Sequence, residues 1–261
     1  MPATETTGEQ ACYGVLGIPV AAVQIPDVIA RMEKWIAGRE ACHFIAVTDM
    51  HSVMEAQHDT DFKRMLTGAD LVVPDGFPLV WMGQRKGFAL RRRVYGPELM
   101  ATFCAQTACK GYRHFFYGGT AGVAEDLAAR FSARFPGLLI AGSCCPPFRS
   151  LSAEEDREFV AAIERSHADI VWVGLGAPKQ ERWMFEHRKQ LSVPVLIGVG
   201  AAFDFHTGRL PRAPAWMGEH GFEWLFRLSV EPRRLWHRYL VHGSQFAVLA
   251  ALELSGLKKF S

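Results

Sequence analysis

The chain has 261 residues, enough for one large α/β domain or two small ones, and at 49% apolar and 21% charged it can bury a packed core. Its formal net charge of +2 is too small to support nucleic-acid binding by the chain as a whole, and no apolar run approaches the ~20 residues that a membrane-spanning helix needs. Cys12, Cys42, Cys104, Cys109, Cys144 and Cys145 contain no CxxC pair, which argues against a structural zinc site; beside a polar, acidic N-terminus without a signal-peptide pattern they read as reduced cytoplasmic thiols.

In chain order, short apolar runs recur at 43–47 (HFIAV), 71–73 (LVV), 114–117 (HFFY), 138–141 (LLIA), 170–173 (IVWV) and 195–199 (VLIGV). None alternates cleanly between polar and apolar, the pattern of strands buried on both faces of a parallel sheet. Helix-like periodic segments lie between them, among them 122–135 and 152–166, and Ser152 followed by Glu155 predicts a capping box. The expected fold is α/β: a parallel, Rossmann-like sheet with helices on both faces and right-handed crossovers. After Val199 the sequence turns Trp- and Arg-rich, and Pro232 predicts a break between helices over roughly 214–230 and 233–254. The chain thus divides into an α/β domain over 1–208 and a basic, amphipathic helical appendage over 209–261. From Arg209 to Lys259, eight Lys/Arg face four Glu, a local net charge of +4 that suits an anionic surface or a phosphate-bearing partner.

Ligands of open parallel sheets bind beyond the carboxyl ends of the strands. Those exits hold Thr48-Asp49-Met50-His51, Pro74-Asp75-Gly76, Gly118-Gly119-Thr120-Ala121-Gly122, Gly174-Leu175-Gly176 and Gly200-Ala201-Ala202-Phe203-Asp204, so one shared cleft is expected. The Gly118, Gly119, Thr120 and Gly122 loop reads equally as a phosphate cradle at a helix N-terminus or as a tight βα turn. A dinucleotide is disfavoured, because the position for a ribose-binding carboxylate falls in LLIAG (138–142). Asp75 could be a desolvated general base, or it could be an Asx-type turn residue, which Pro-Asp-Gly favours. Asp59 and Asp61 form a DxD pair of the kind that holds a diphosphate-bound metal, but they lie between two helical segments, where a helix N-cap explains them. His237 and His242 are five apart and so should not share an α-helical face, leaving them solvated or interfacial. No GxSxG elbow or P-loop lysine is present. The tail over 223–252 interleaves Arg with Trp, Leu and Tyr, as in helices that lie in a membrane interface or clamp phosphates; packing on the core through salt bridges is the other reading, and both can hold together.

Six stretches, ADLVVPDG (69–76), RRVYGPELM (92–100), FFYGGTAGVAE (115–125), ADIVWVGLGAPKQERWM (168–184), GVGAAFDFHTGRLPRAPAWM (198–217) and GFEWLFRLSVEPRRLWHRYL (221–240), together resemble the WecG/TagA/CpsF family, glycosyltransferase family 26. The resemblance runs from about Val15 to Leu240. It implies an inverting, metal-independent enzyme without cofactor that moves a sugar from a UDP-sugar donor to a polyprenyl-diphosphate-linked saccharide acceptor. Such an enzyme would be cytoplasmic and peripheral on the inner face of the cell membrane, in surface-polysaccharide, teichoic acid or common-antigen synthesis. On this resemblance Asp75 is the general base, Arg93 neutralises a diphosphate, and Gln180 binds donor sugar or acceptor beside Lys179 and Glu181. Gly176 and Pro178 would open a helix that aims Lys179 and Gln180 into the cleft. Arg212, Arg227, Arg233 and Arg238 of the tail would reach phosphates while the tail docks on anionic lipid. Family members commonly carry Thr-x-Asn at the exit of the first core strand, whereas Val47-Thr48-Asp49 stands here. The resemblance therefore leaves the donor sugar open, and it leaves a catalytically inactive nucleotide-sugar-binding assembly protein as the alternative.

Overall fold

A computed structural model describes residues 10–219 and 221–260. Its core is a six-stranded, wholly parallel sheet of β3 (His43–Thr48), β4 (Leu71–Pro74), β5 (Arg113–Gly118), β6 (Leu139–Cys144), β7 (Ile170–Gly174) and β8 (Val195–Gly198), in the order β4-β3-β8-β7-β5-β6. These are the six runs picked out by their unbroken apolarity. Alternate residues feed two separate cores, as the two-residue strand period requires. Phe44, Ala46, Val72, Tyr117, Val171 and Leu196 face one side; Ile45, Val73, Phe116, Trp172 and Ile197 face the other.

The second side is covered by α1 (Ile25–Gly38), α5 (Gly96–Thr107), α6 (Val123–Arg134) and α9 (Ala202–Thr207). The first is covered by α2 (Met50–His58), α3 (Thr60–Thr67), α4 (Phe77–Arg85), α7 (Ala153–Ser166) and α8 (Lys179–His187). The capping box at α7 forms as expected: Ser152 Oγ accepts from the Glu155 N–H at 3.2 Å, and Glu155 Oε2 accepts from the Ser152 N–H at 2.8 Å.

Sequence patterning gave no sign of one element, an antiparallel hairpin of β1 (Cys12–Val15) and β2 (Ile18–Ala21) that adds Tyr13, Val15, Ile18 and Val20 to the first core. Its two-residue turn, Leu16-Gly17, has positive φ at both positions. Such turns advertise themselves by Asn-Gly or Asp-Gly, so leucine conceals this one.

The tail forms α10 (Ala215–Glu219), α11 (Glu223–Val230), α12 (Pro232–Trp236), a π-helical turn (His237–Val241) and α13 (His242–Leu254). Pro232 stands in the first turn of α12, as a residue without an N–H can. The first expected tail helix is interrupted before Glu223, at Gly221 with φ +78°. α13 returns to the α/β body, burying Phe246 and Ala250 in the first core. Near its end Glu253 accepts from the Leu16 N–H at 2.9 Å and from Lys86 Nζ at 2.8 Å. No described helix is long and apolar enough to cross a membrane.

Candidate active site

The exits of β3 and β4 lie side by side because Thr48 pairs with Pro74, and the Thr48 carbonyl accepts the Asp75 N–H at 2.7 Å. That bond fixes the backbone of Asp75 while its side chain remains available. The carboxyl is 23% exposed at its outer edge, yet Oδ1 is sealed and has no hydrogen-bond partner among the described residues. Asp75 is therefore not the self-satisfied Asx turn that Pro-Asp-Gly allows. Burial is the main reason its pKa rises to about 7, with Asp49 and Glu223 adding to the rise and Arg93 and Arg227 opposing it. The nearest cation is Arg93, whose guanidinium is 3.7 Å from Oδ1, pairs with Glu223 of α11 and lies 4.1 Å over the Tyr95 ring.

Asp49 caps α2, accepting from the Ser52 N–H at 3.0 Å through Oδ1, and its Oδ2 pairs with Arg238 of the π turn. Burial alone would push its pKa up, but Arg238 and the Ser52 N–H hold it below the usual range. Behind Asp49, Gln180 of α8 is buried and bridges two elements. Its Oε1 accepts from the Gly200 N–H at 3.0 Å, and its Nε2 donates to Glu181 Oε1 at 2.8 Å. Gly198 allows that approach, since a Cβ there would meet Gln180 Nε2 at 2.8 Å. Glu181 is 1% exposed, its Oε2 has no hydrogen-bond partner among the described residues, and burial raises its pKa to about 7.

The structure thus brings together Thr48, Asp49, Asp75, Arg93, Gln180, Glu181, Arg227 and Arg238. Arg227 lies 5.7 Å over the Phe205 ring with its charge acting on Asp75, and neither Arg227 nor Arg233 has an ion-pair partner among the described residues. Arg233 is exposed on α12, and Arg212 donates to His206 Nδ1 at 3.0 Å. Lys179 turns outward over the Phe148 ring at 3.9 Å instead of following Gln180 inward. Gly176 has φ +75° just before α8.

Gly118, Gly119 and Gly122 all have positive φ at the exit of β5, and the Gly119 N–H is used by the Gly174 carbonyl at 2.9 Å. Thr120 accepts from Arg209 at 3.3 Å. This loop belongs to β5, beyond β3, β8 and β7 from the Asp75 exit in the sheet order. Asp59 caps α3 through the Phe62 N–H at 2.9 Å and pairs with Arg182, while Asp61 pairs with Arg64 at 3.4 Å. The DxD pair is thus structural, one nine-residue helix away from the β3 exit. Glu223 and Tyr95, which border Asp75 and Arg93, and Tyr239, which borders Arg227 and Arg238, were not singled out by sequence pattern. Their only signal was membership of the motifs at 92–100 and 221–240.

The two histidines of the tail need a correction. The π turn bonds the His242 N–H to the His237 carbonyl, so residues five apart do share a face. Their rings meet at 4.9 Å, and His242 is 7% exposed, not solvated.

A parallel α/β sheet with a desolvated carboxyl and guanidinium groups gathered at adjoining strand exits is the arrangement in which open α/β folds place their ligand sites. The chain belongs to the glycosyl transferase WecG/TagA/CpsF family, whose profile matches residues 13–259. It is similar to proteins named N-acetylglucosaminyldiphosphoundecaprenol N-acetyl-beta-D-mannosaminyltransferase. In Bacillus subtilis (strain 168) that relative is 30% identical over 224 residues, covering 85% of either chain. In Bacillus spizizenii it is 29% identical over 217 residues, 83% of this chain and 82% of the relative. In Staphylococcus aureus (strain MRSA252) it is 25% identical over 232 residues, 88% and 89% of the two chains.

Proposed function

We propose that this protein transfers a sugar from a UDP-sugar to a saccharide carried on a polyprenyl diphosphate, with inversion at the anomeric carbon. The observation that carries the reading is Asp75, a carboxyl with one sealed oxygen that has no hydrogen-bond partner among the described residues and a pKa near 7, flanked by arginines at a strand exit. In a single displacement the acceptor hydroxyl oxygen attacks the anomeric carbon as the bond to the UDP oxygen breaks. The hydroxyl proton passes to Asp75, and UDP leaves with the electron pair of the broken bond. A general base poised near neutral pH contributes about 10²- to 10⁴-fold. Negative charge grows on the departing diphosphate, where Arg93, Arg227 and Arg238 can hold it. Arg227 is available outright, whereas Arg93 and Arg238 would exchange Glu223 and Asp49 for phosphate oxygens. This set of cations supports a transfer that does not depend on a metal at the diphosphate, and the structural use of Asp59 is consistent with it.

The relatives' names make an N-acetylglucosaminyl-diphospholipid the first acceptor to test and N-acetylmannosamine the first donor sugar. Asp49, where the family commonly has asparagine, is the reason to keep hexose and uronic acid donors in the panel. Gln180 and Glu181, both buried, would serve the sugar or the acceptor through the Gly200 backbone that Gln180 holds. The exposed tail apolar side chains and Arg233 would rest on anionic lipid at the cytoplasmic face.

The test incubates purified protein with a short-chain acceptor and a panel of UDP-sugars, without added Mg²⁺ or Mn²⁺, and weighs the products. One added sugar establishes transfer and names the donor. Asp75→Asn is expected to lower kcat by about 10²-fold or more while still binding UDP. An Asp75→Asn enzyme that turns over normally overturns the assignment of the base. UDP binding without any product would favour the alternative, a binding protein without turnover. Activity only on adding Mg²⁺ would overturn metal independence.

A further inference from the structure

The π turn delivers His242 against α2, where a second cluster forms that the chemistry at Asp75 does not use. His51 and Glu55 stand one helical turn apart on α2, and His242 is the first residue of α13. Nδ1 of His51 lies 3.1 Å from Nδ1 of His242, and Oε1 of Glu55 lies 3.8 Å from each of them. All three ligand atoms fall within 4.8 Å of one another. His58 and His237 flank the cluster, with ring centroids 6.2 and 4.9 Å from that of His242. We propose that His51, Glu55 and His242 form a structural site for a divalent transition metal of the zinc class, stapling the C-terminal helix to α2.

The geometry fits a ligand set. A tetrahedral zinc ion with nitrogen and oxygen ligands at about 2.0–2.2 Å holds those atoms about 3.3–3.5 Å apart. The observed spacings of 3.1 and 3.8 Å bracket that range, so only small side-chain adjustments are needed. In a hydrogen-bonded network the carboxylate would close on one imidazole; instead Glu55 stands at equal distance from both, too far to bond either. Two imidazole nitrogens facing each other attract only if one carries a proton, and a cation between them removes that requirement. Two imidazoles and one carboxylate suit zinc, cobalt or nickel, whereas magnesium and calcium prefer oxygen ligands alone. Arg238 opposes a second cation nearby, but its charge is taken up by Asp49. The fourth coordination position is left for water or a flanking imidazole.

The consequence is mechanical. Arg238 stands four residues before His242 and Asp49 two before His51, so the metal and the Arg238–Asp49 pair would fasten the same two segments. Occupancy would therefore hold the tail where Arg238 reaches the strand exits.

Full-length protein stripped with a chelator and dialysed is titrated with Co²⁺ as the spectroscopic probe, then with Zn²⁺, while metal content and Tm are followed. The expected result is one equivalent of Co²⁺ per chain with the intense visible absorption of four-coordinate cobalt, displacement by one equivalent of Zn²⁺, and a higher Tm. Outer-shell changes alone cost metal sites 10–100-fold, so His51→Ala and His242→Ala should each weaken binding by about 100-fold or more. His167→Asn, on an exposed histidine elsewhere, should bind as the native chain does. Failure of the native chain to bind one equivalent overturns the proposal whether or not the alanine variants fold. So does binding that survives both substitutions, or a six-coordinate cobalt spectrum.

Discussion

Asp75 and its neighbours form a balance of charges that can be tipped in either direction. Ionisation of Asp75 makes the proposed base, so kcat/KM should rise with pH through about 7 and level off above it. Arg93 opposes the rise in that pKa, and Glu223 contributes to it. Arg93→Gln is expected to move the acid limb of the pH–rate profile up by about one unit, and Glu223→Gln to move it down. Shifts of one sign in both variants would show that the two groups do not act on Asp75 electrostatically. Glu181 offers a separate test through stability. Its folded-state pKa of about 7 lies above its ordinary 4.5, so the folded chain binds its proton more tightly than the unfolded chain does. The stabilisation is complete below about pH 4.5 and is lost as pH rises through about 7. Glu181→Gln should therefore gain on the native protein between pH 5 and pH 8, by at most about 3 kcal/mol, measured by denaturant unfolding at each pH. A gain independent of pH would mean that Glu181 does not hold its proton.

At the scale of elements, the tail presents two faces. Inward, Glu223, Arg227 and Arg238 reach the strand exits, and Phe246 and Ala250 enter the core. Outward, Phe222, Trp224, Leu225, Val230, Trp236 and Leu240 are exposed along the tail, as is Arg233, which has no ion-pair partner among the described residues. Amphipathic helices with aromatic and basic residues bind anionic interfaces, with roughly 1 kcal/mol for each basic residue near the surface. Arg233→Glu should weaken binding to phosphatidylglycerol vesicles by more than about fivefold, and Trp224→Glu with Leu225→Glu should abolish sedimentation with them. Both variants should retain turnover on a water-soluble acceptor. Unchanged vesicle binding would leave the tail with its inward role alone.

At the scale of the whole molecule, the sheet holds the exits in register, and glycine is required where backbone meets backbone. At Gly118, φ is +133° and an added Cβ would lie 2.5 Å from the Gly174 carbonyl group. Gly118→Ala should destabilise the fold by about 2 kcal/mol or more, seen as a lower midpoint in urea. Much of this architecture was legible in the sequence. Six unbroken apolar runs announced six parallel strands, Ser152 and Glu155 announced the start of α7, and Pro-Asp-Gly after a buried strand marked Asp75. The β1–β2 hairpin was not legible, because Leu16 occupies a positive-φ position usually signalled by asparagine or aspartate.

The sequence by itself determined the fold class, through strand period and helix caps, and the family, through six motifs in order; it also placed Asp75 at the exit of a buried strand, because all of these marks are carried by adjacent residues. Only the tertiary structure decided what surrounds Asp75. Arg93 meets Glu223 across 130 positions, Asp49 meets Arg238 across 189, and His51 meets His242 across 191. No local periodicity encodes such pairs, and the π turn that aligns His237 with His242 breaks the α-helical spacing by which the tail is read. The folding of the tail back onto α2 and the strand exits turns scattered charged residues into one site.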